Sequence, residues 1–596
     1  MADRWTASYE VDTIIIGIDF GTTFSGVSWA YSGQPDDIEV ISRWESKMGL
    51  SSDRDKVPSA IIYQSKKRGN ISWGYAIPPS ANQKPMKWFK LLLVDEPDLP
   101  KHVRDSKQIA TARKLVKDAN KDPVEVISSY LRHLWNHSIE CITTSAGKEL
   151  VKKCRFHVVI TLPTIWPDYA KVRMRRAAEN AGLLQKRSAR ETTLAFISEP
   201  EAAALATMRD FSKKSTARAG DHLVVCDAGG GTVDLISYEV LSLKPFVVRE
   251  AVEGDGDLCG GVFLDEAFVK LIKKKVTPQA WDNIPMEDAA RLLNYEWENC
   301  IKQSFNAQDE DWHINLPPEC RAPGSAPRGV KRKRNLALDR EDLLSVFDPT
   351  IDKTVALVRR QIAAVMVKSG RKPKQIILVG GFGRCVYLRS RLQDAIGTGI
   401  EIIQGQGTKP WTAICRGAVI HGLTQRNLAP DLAVGIKSRI SRMSYGTKFS
   451  SVFDPKIHDI TNRYWDDEEQ AWKASNQMEW FLEKGTDVST AHPVRKTYYQ
   501  LFESAIGDLS EAIYSTAAWP APGSGSKDVH QLCAITWTKE IDFESLPRFT
   551  NPLGKVYAKL NFDIEMTCSG GSIDFTVIHD GKQVGAKNVC VSFKSE

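Results

Sequence analysis

The sequence predicts an α/β region followed by an antiparallel β region, and three observations support this prediction. Short runs of β-branched residues lead into glycine turns at residues 13–23, 223–234 and 376–384. Stretches of helical composition separate these three units. Beyond about residue 424 the sequence changes to an alternation of apolar and polar residues. Alternating strands and helices indicate an α/β architecture, whereas apolar–polar alternation indicates strands with one buried face.

The strand–glycine units and the helices between them set the order of the α/β region. Each unit is predicted to be a buried strand that ends in a tight turn, because glycine adopts backbone conformations that other residues avoid. Residues 169–184, 201–208 and 342–367 have helical composition or periodicity, and the first of these helices is expected to end at Gly182. No internal sequence repeat is detected, but two similar Asp-Gly-Thr turns hint at a duplicated core.

The C-terminal region is predicted to be antiparallel β structure. Within residues 556–566 the apolar side chains occupy the even positions and the polar side chains the odd positions. After a Ser-Gly-Gly-Ser turn, residues 573–577 alternate into a hairpin turn at Asp580-Gly581. A last strand is expected at residues 588–593. These features predict a sheet with one buried face.

Two stretches read as insertions. Residues 321–334 are rich in proline and glycine and end in four basic residues at 331–334. A solvated loop is the simplest interpretation of that basic run, with a nuclear import signal or a phosphate-binding patch as alternatives. Residues 450–477 are polar and include the acidic run 466–469.

Composition excludes several classes of protein. The 596 residues carry a formal net charge of only +7, so no nucleic-acid partner is indicated. The 11 cysteines include no CxxC pair, which argues against a zinc ribbon or a disulfide framework. Residues 1–10 are polar and the longest apolar runs have the length of a strand, so neither a signal peptide nor a membrane partner is expected. The sequence therefore predicts a cytoplasmic protein, with nuclear import open through residues 331–334.

Two turns carry the residue types that a nucleoside triphosphate requires. Asp19 begins the sequence Asp-Phe-Gly-Thr-Thr, and Asp227 begins Asp-Ala-Gly-Gly-Gly-Thr. Glycines let backbone N–H groups approach phosphates, threonine hydroxyls add hydrogen bonds, and strand-end carboxylates can hold the waters around Mg²⁺. Neither turn is a Walker motif or a GxGxxG fingerprint, so the P-loop and Rossmann interpretations fit poorly. One such turn alone could be an ordinary connection, but two in order, each after an apolar strand, favour a nucleoside triphosphate and Mg²⁺ as ligands.

A set of short motifs extends this pattern through the chain. The most specific is Phe-Ile-Ser-Glu-Pro-Glu-Ala-Ala-Ala at residues 196–204. The other motifs lie at residues 17–25, 159–163, 173–183, 227–234, 376–384, 431–436, 481–488 and 556–581. In these segments the chain resembles the 70-kDa heat-shock (DnaK-type) chaperone family of the actin-like ATPase superfamily, as a divergent member. The Glu-Pro-x-Ala-Ala-Ala signature separates this family from actins and sugar kinases.

The resemblance implies a fold for each region. Residues 1–425 would form an α/β actin-like (ribonuclease H-like) two-lobed ATPase domain. Residues 426–596 would form a β-sandwich domain that resembles the family's substrate-binding domain, lacks a helical lid and carries the polar insertion at 450–477. Without a lid, any bound peptide is expected to exchange quickly.

The resemblance also implies ATP hydrolysis with Mg and assigns residues to it. The catalytic residues would be Lys90, Glu199, Asp227 and Asp234. The nucleotide would be bound by Gly21, Thr22, Thr23, Gly229, Gly230, Gly231, Thr232, Gly260, Gly261, Glu298, Lys302, Gly380, Gly381 and Arg384. The water shell of the metal would be ordered by Asp19 and Asp227.

Three of these assignments leave alternatives open. The family's catalytic lysine could be Lys87 or Lys90, of which Lys90, beside three leucines, is the better match. Glu298 and Lys302 are one helical turn apart, so they could contact adenosine or form a surface ion pair. Trp411 stands where the family usually has an aspartate, which leaves nucleotide affinity and specificity open.

Three functions remain to be weighed. The first is a heat-shock-like ATPase that binds an unfolded or extended polypeptide client on its β domain. The second is a nucleotide-gated regulatory scaffold without refolding activity. The segment 423–432 lacks the family's run of aspartate and leucines, which leaves J-domain co-chaperones and domain coupling open. The third is a small-molecule kinase of the same superfamily, against which the β region and the Glu199-Pro200 motif argue.

Overall fold

A computed structural model of the chain describes most of its residues. It describes residues 12–46, 54–63, 71–78, 83–99, 101–163, 166–189, 191–211, 216–243, 246–276, 278–317, 335–428, 434–489, 493–504, 507, 509–537, 541–569 and 572–584. The predicted insertion at 321–334, the segment 431–433 and the predicted strand at 588–593 lie outside these ranges. The chain divides into two compact units. Unit 1 comprises Met1–Val247 and Gly254–Gly435, and unit 2 comprises Val248–Glu253 and Ile436–Glu596.

Unit 1 alternates strands and helices, as the sequence predicts. Its strands are β1 (Thr13–Phe20), β2 (Phe24–Tyr31), β3 (Glu39–Val40), β4 (Val57–Pro58), β5 (Ile61–Tyr63), β6 (Ile71–Trp73), β7 (Arg155–Leu162), β8 (Thr193–Ser198), β9 (His222–Ala228), β10 (Val233–Leu243), the two ends of β11 (Phe246–Asp257), β12 (Trp312–Asn315), β13 (Asn335–Leu338), β14 (Gln375–Val379), β15 (Glu401–Ile403) and the start of β16 (Val434–Ile436). Its helices are α1 (Lys101–Arg104), α2 (Lys107–Asp118), α3 (Pro123–Ala146), α4 (Lys148–Lys153), α5 (Asp168–Ala181), α6 (Glu199–Phe211), α7 (Val262–Val276), α8 (Pro278–Asp282), α9 (Met286–Arg291), α10 (Lys302–Ser304), α11 (Arg340–Ser369), α12 (Val386–Ile396) and α13 (Lys409–Gln425), with a π-helical segment at Leu292–Ile301.

Two sheets in unit 1 repeat one arrangement of strands. The first has the order β3-β2-β1-β7-β8, in which β1 is antiparallel to β2 and parallel to β7. The second includes the order β15-β14-β9-β10, in which β9 is antiparallel to β10 and parallel to β14. Asp19 near the end of β1 and Asp227 near the end of β9 therefore hold equivalent positions. The duplicated core that the two similar turns suggest is confirmed in this strand order.

Helix ends in unit 1 follow local sequence signals. Helix α5 ends at Gly182, where a φ of 91° gives the left-handed conformation that glycine tolerates. Helix α11 begins with a capping box in which the side chains of Asp339 and Asp342 each accept a hydrogen bond from the other's backbone N–H. The three helices predicted at 169–184, 201–208 and 342–367 are confirmed as α5, α6 and α11, the last two longer than predicted.

Close packing at small residues fixes the centre of unit 1. A Cβ atom placed on Gly417 of α13 would lie 1.7 Å from the Ala202 carbonyl oxygen of α6. A Cβ atom on Gly17 of β1 would lie 2.4 Å from the Cys415 carbonyl oxygen of α13. These glycines let α6, α13 and β1 approach each other more closely than side chains would allow. The strand that carries Asp19 and the helix that begins at Glu199 are thus positioned by direct backbone packing.

Unit 2 consists mainly of antiparallel strands. They are β17 (Ser438–Ile440), β18 (Ser444–Val452), β19 (Arg463–Asp466), β20 (Ala471–Leu482), β21 (Asp487–Ser489), β22 (Val494–Phe502), β23 (Leu509–Thr516), β24 (His530–Trp537), β25 (Arg548–Thr550), β26 (Val556–Ser569), β27 (Ser572–His579) and β28 (Lys582–Gln583). One sheet has the order β19-β20-β18-β23-β24, and another has the order β22-β26-β27-β28 with β25 also on β26. Within the described part of residues 436–584, helical structure is limited to short 3₁₀ turns.

The two sheets of unit 2 share one hydrophobic core. Buried side chains that include Ile513 and Trp537 of the first sheet and Leu560 and Phe575 of the second belong to the same cluster. The predicted alternation in β26 is confirmed from residue 558 to residue 566, whereas Val556 at its start is 53% exposed. The polar stretch 450–477 adds β19 and the first half of β20 to the sheet. No helix in the described ranges of the chain is both long enough and apolar enough to cross a membrane.

Candidate active site

A cleft lies within unit 1. It is lined by Asp19, Gly21, Thr22, Thr23, Phe24, Arg54, Lys56, Glu199, Asp227, Gly229, Gly230, Gly231, Thr232, Gly261, Val262, Asp265, Glu298, Asn299, Lys302, Gln303, Gly380, Gly381, Phe382, Arg384, Cys385, Trp411 and Ile414. The lining combines glycine turns, carboxylates, lysines and aromatic rings. That mixture suits a ligand with both an anionic part and a planar part.

The first glycine turn joins β1 to β2 and is held by Ser59. The Ser59 hydroxyl donates a hydrogen bond of 2.7 Å to the carbonyl oxygen of Gly21. The Ser59 backbone N–H donates to the carbonyl oxygen of Thr23 at 2.8 Å. Both contacts hold carbonyl groups of the turn in place.

The second glycine turn joins β9 to β10 and is held by the segment that precedes α7. The carbonyl oxygens of Gly229, Gly230 and Gly231 accept hydrogen bonds from the backbone N–H groups of residues 261, 262 and 260, at 3.1, 2.9 and 3.1 Å. A planar trans peptide directs its N–H opposite to its C=O. The N–H groups of residues 230–232 therefore point away from that segment, the orientation needed to bind an anion.

The two turns face each other at van der Waals distance. A Cβ atom on Gly230 would lie 1.9 Å from the Thr23 hydroxyl oxygen. A Cβ atom on Gly231 would lie 3.2 Å from the Thr22 Cβ. Gly260 packs behind them, where a Cβ atom would meet the backbone of Gly230 and Gly231 at 2.6 Å. The space available therefore favours glycine at these places.

Two buried ion pairs involve carboxylates that line the cleft. The Lys56 ammonium group is 2.5 Å from a carboxylate oxygen of Asp19, with side-chain exposures of 7% and 3%. The Lys90 ammonium group donates to a carboxylate oxygen of Glu199, with side-chain exposures of 1% and 8%. Lys87, the alternative catalytic lysine, is exposed.

Burial and neighbouring charges shift the pKa values of Asp227, Asp234 and Lys56 in this cluster. Burial and the neighbouring carboxylates of Glu199, Asp234 and Asp19 raise the pKa of Asp227 well above its usual range. Burial and the charge of Glu199 raise the pKa of Asp234 to about 7. Burial alone would lower the pKa of Lys56, but Asp19, with smaller contributions from Cys415 and Asp227, raises it overall.

The donor set of these carboxylates fits a hydrated magnesium ion. Among the described residues, no hydrogen-bond partner lies within reach of Asp227 Oδ1 or Asp234 Oδ2, although both atoms are buried. Buried carboxylate oxygens without partners are costly, and a divalent cation with its waters would satisfy them. No group of three His, Cys, Asp or Glu side chains close enough to chelate a metal directly is found in the described ranges. The pattern suits an ion that retains most of its waters.

A second charged cluster lies beyond the second turn. Lys302 donates hydrogen bonds of 2.7 Å to Asp265 Oδ1 and of 2.7 Å to Glu298 Oε2. Burial alone would lower the pKa of Lys302, but the two carboxylates together raise it. Trp297 donates a further hydrogen bond of 2.7 Å to Asp265. Glu298 and Lys302 form an ion pair, as one interpretation proposed, but the pair lines the cleft and Lys302 is buried.

Aromatic and guanidinium groups form the remaining wall of the cleft. Gly380 has a φ of 86°, and a Cβ atom there would lie 2.3 Å from the Ala228 carbonyl oxygen. A Cβ atom on Gly381 would lie 3.4 Å from the Trp411 indole nitrogen. The Arg384 guanidinium carbon lies 6.0 Å from the centroid of the Trp411 ring. Such planar groups can stack with a base.

The cleft brings together most of the residues that the sequence predicts. Of those residues, all line it except Lys90, Asp234 and Gly260, which lie behind the lining. The sequence prediction missed Lys56, whose segment carries no recognisable motif. The prediction also missed Asp265, which becomes significant only through its contact with Lys302. No local sequence signal identifies either residue, because each reaches the cleft through tertiary packing.

Comparisons with known proteins agree with this geometry. A family described as Hsp70 protein matches residues 15–427. The chain is 26% identical over 516 residues to heat shock 70 kDa protein 12A of Homo sapiens, covering 73% of this chain and 71% of that protein. It is 24% identical over 519 residues to heat shock 70 kDa protein 12B of Homo sapiens, with coverages of 75% and 72%. It is 26% identical over 428 residues to the chaperone protein DnaK of Thermoplasma volcanium, with coverages of 70% and 60%.

The fold and the family match together define the class of protein. Residues 15–427 adopt the actin-like, two-lobed α/β fold of an ATPase superfamily. The chain belongs to the Hsp70 family, of which it is a divergent member.

Proposed function

We propose that this protein binds ATP with Mg in the cleft of unit 1, hydrolyses it, and couples this reaction to the binding of an extended polypeptide. The observation that carries the proposal is the cluster of four buried carboxylates and two buried lysines beside the two glycine turns. Phosphoryl transfer depends mainly on positioning and on charge stabilisation, and such a preorganised cluster supplies both.

Each part of the cleft has a role in this proposal. The backbone N–H groups of residues 230–232 and the hydroxyls of Thr22, Thr23 and Thr232 bind phosphate oxygens. Glu199, held by Lys90, orients the attacking water, and Asp234 supports the same network. Asp227 and Asp19 hold the waters of the metal, which when bound neutralises phosphate charge. The cluster of Glu298 and Lys302, with Gly380, Gly381 and Arg384, binds the adenosine.

For unit 2 we propose the β-sandwich architecture and the polypeptide-binding role of an Hsp70 substrate domain. Two antiparallel sheets with one common core support the architecture. Similar proteins that are named as chaperones support the role. The domain boundary is proposed near residue 425, where α13 ends.

Phosphate release by the full-length chain tests the enzymatic part of the proposal. Glu199→Gln keeps the size of the side chain but removes the carboxylate, so hydrolysis should fall by roughly 100-fold. Glu191→Gln, an exposed change shortly before β8, is the matched control and should hydrolyse ATP like the wild type. Equal rates for all three proteins would contradict the proposed role of Glu199.

Adding a permanently unfolded polypeptide separates the remaining alternatives. Stimulated hydrolysis would support the chaperone-like cycle. ATP binding without turnover or response to polypeptide would instead support a nucleotide-gated scaffold. Transfer of phosphate to a metabolite, with no response to polypeptide, would support a small-molecule kinase.

A further inference from the structure

The two lobes of the cleft differ at one pair of equivalent positions. In one lobe, Asp227 of β9 pairs with Asp234 on the neighbouring strand, β10. At the equivalent place, Asp19 of β1 faces Gly26 of β2. A Cβ atom on Gly26 would lie 3.0 Å from Cγ and 3.3 Å from Cε of Lys56. The stem of Lys56 therefore packs across Gly26, in the lobe that lacks the second carboxylate.

Lys56 is held in this position from several sides. The next residue, Val57, pairs with Ser25 of β2. The Tyr75 hydroxyl donates a hydrogen bond of 3.2 Å to the Lys56 carbonyl oxygen. The Lys56 side chain is 7% exposed and its ammonium group lies 2.5 Å from Asp19. A lysine anchored at its backbone, its stem and its head group is a built component of the cleft, unlike a lysine that extends along a surface.

The charges of the cluster leave room for one divalent cation. The buried carboxylates are Asp19, Glu199, Asp227 and Asp234, and the buried lysines are Lys56 and Lys90. When all four carboxylates are ionised, two of them have no lysine to neutralise them. Among these four carboxylates, the oxygens for which the described residues supply no hydrogen-bond partner are Asp227 Oδ1 and Asp234 Oδ2. Asp19 is thus neutralised by this chain's own cation.

We propose that Lys56 is a phosphate-binding residue. Its contact with Asp19 replaces one of the contacts that Asp19 would otherwise make to the water shell of the metal. An ammonium group has three donors, so after one is used by Asp19 two remain for phosphate oxygens. Because the cation is part of the chain, ATP binding needs little divalent metal. The inference rests on the proposed function, and it corrects in part the role that resemblance implies for Asp19.

Calorimetric titration of ATP into the full-length chain, with magnesium and with excess EDTA, tests this inference. The wild type should bind with dissociation constants that differ by less than about tenfold between the two buffers. Lys56→Met keeps the stem on Gly26 but removes the charge, so its affinity in EDTA should fall by about tenfold or more, with a smaller loss in magnesium. Lys56→Arg should retain most of the affinity in EDTA.

The matched control is Lys368→Met, which removes an exposed lysine near the end of α11 and should leave both affinities unchanged. If Lys56→Met does not fold, the dissociation constants of the wild type in the two buffers are sufficient for the test. If the wild type binds ATP about 100-fold more weakly in EDTA than in magnesium, the inference is overturned and the proposed function stands. Unchanged affinity of a folded Lys56→Met protein in EDTA would also overturn it. No binding in either buffer would overturn the proposed function, and the inference with it.

Discussion

Gly230 is a position at which the cleft has no room for a side chain. A methyl group there would lie 1.9 Å from the Thr23 hydroxyl oxygen, so the two glycine turns would have to separate. We expect Gly230→Ala to weaken ATP binding by roughly tenfold or more while the protein stays folded. Titration with ATP and a thermal melt measure the two effects. Gly399→Ala, where a Cβ atom meets nothing within 4 Å, is the control and should change neither.

The ion pair between Lys90 and Glu199 makes a prediction about stability. Lys90→Met leaves a buried carboxylate without its cation, which should lower the free energy of unfolding by about 3–5 kcal/mol. The double variant Lys90→Met/Glu199→Gln removes both charges and should recover most of that loss. Urea unfolding measures both values.

An exposed ion pair provides the control for the variants of Lys90 and Glu199. Lys152 and Glu149 have side-chain exposures of 57% and 77%, so Lys152→Met should change the free energy of unfolding by less than about 1 kcal/mol. A single variant Lys90→Met as stable as the wild type would contradict a buried, compensating role for Lys90.

At the scale of residues, the sequence predicts those site positions that belong to a turn motif. Asp19, Asp227 and the glycines that follow them are recognisable because phosphate-binding turns need these residue types in a fixed order. Lys56 is not recognisable, because its significance depends on Gly26, a residue 30 positions earlier on another strand. Pairing across a sheet has no local signature.

At the scale of elements, a half-buried carboxylate, Glu511, that is hydrogen-bonded to a neighbouring strand predicts a pH dependence. Burial raises the pKa of Glu511 on β23 to about 7. The hydrogen bond of 2.6 Å that Gln500 on β22 donates to Glu511 acts in the opposite direction but is the smaller effect. The folded state thus holds the proton more tightly than the unfolded state, whose pKa is 4.5. From about pH 4.5 to pH 7 the stability of unit 2 should therefore fall as the pH rises, and remain low above that range.

Glu511→Gln removes this titration and should raise the free energy of unfolding of unit 2 at pH 8 by about 1 kcal/mol, with almost no effect near pH 4.5. Chemical unfolding at both pH values measures the change. Glu483→Gln, which alters an exposed carboxylate of the same unit, is the control. An equal gain at both pH values would show that Glu511 does not titrate in this range.

The elements themselves were predictable where a strong periodicity or a cap was present. Helix α11 and strand β26 follow from a 3.6-residue and a 2-residue pattern, respectively. The strands within residues 450–477 were not predicted, because their sequence is polar and lacks a regular apolar–polar alternation. There Trp465 and Trp472 pair directly across β19 and β20, with ring centroids 5.3 Å apart. Such cross-strand pairs stabilise a sheet without apolar alternation.

At the scale of the whole molecule, ATP should stabilise unit 1 selectively. A ligand that binds only the folded state stabilises it by about 2.7 kcal/mol at 100 times its dissociation constant. Pulse proteolysis in urea, with fragments assigned by mass spectrometry, reports the unfolding of each unit separately. Saturating ATP should shift the midpoint for peptides of unit 1 to higher urea. A shift confined to peptides of unit 2 would contradict a nucleotide site in unit 1.

The central claim is that ATP binds between the two glycine turns, and hydrogen–deuterium exchange of the full-length chain with and without ATP tests it most directly. The account predicts that ATP slows exchange in peptides that span residues 20–24, 229–232 and 380–384. Exchange near Gly399 should not change and serves as the internal reference. Protection confined to other segments, or no protection at saturating ATP, would contradict the claim.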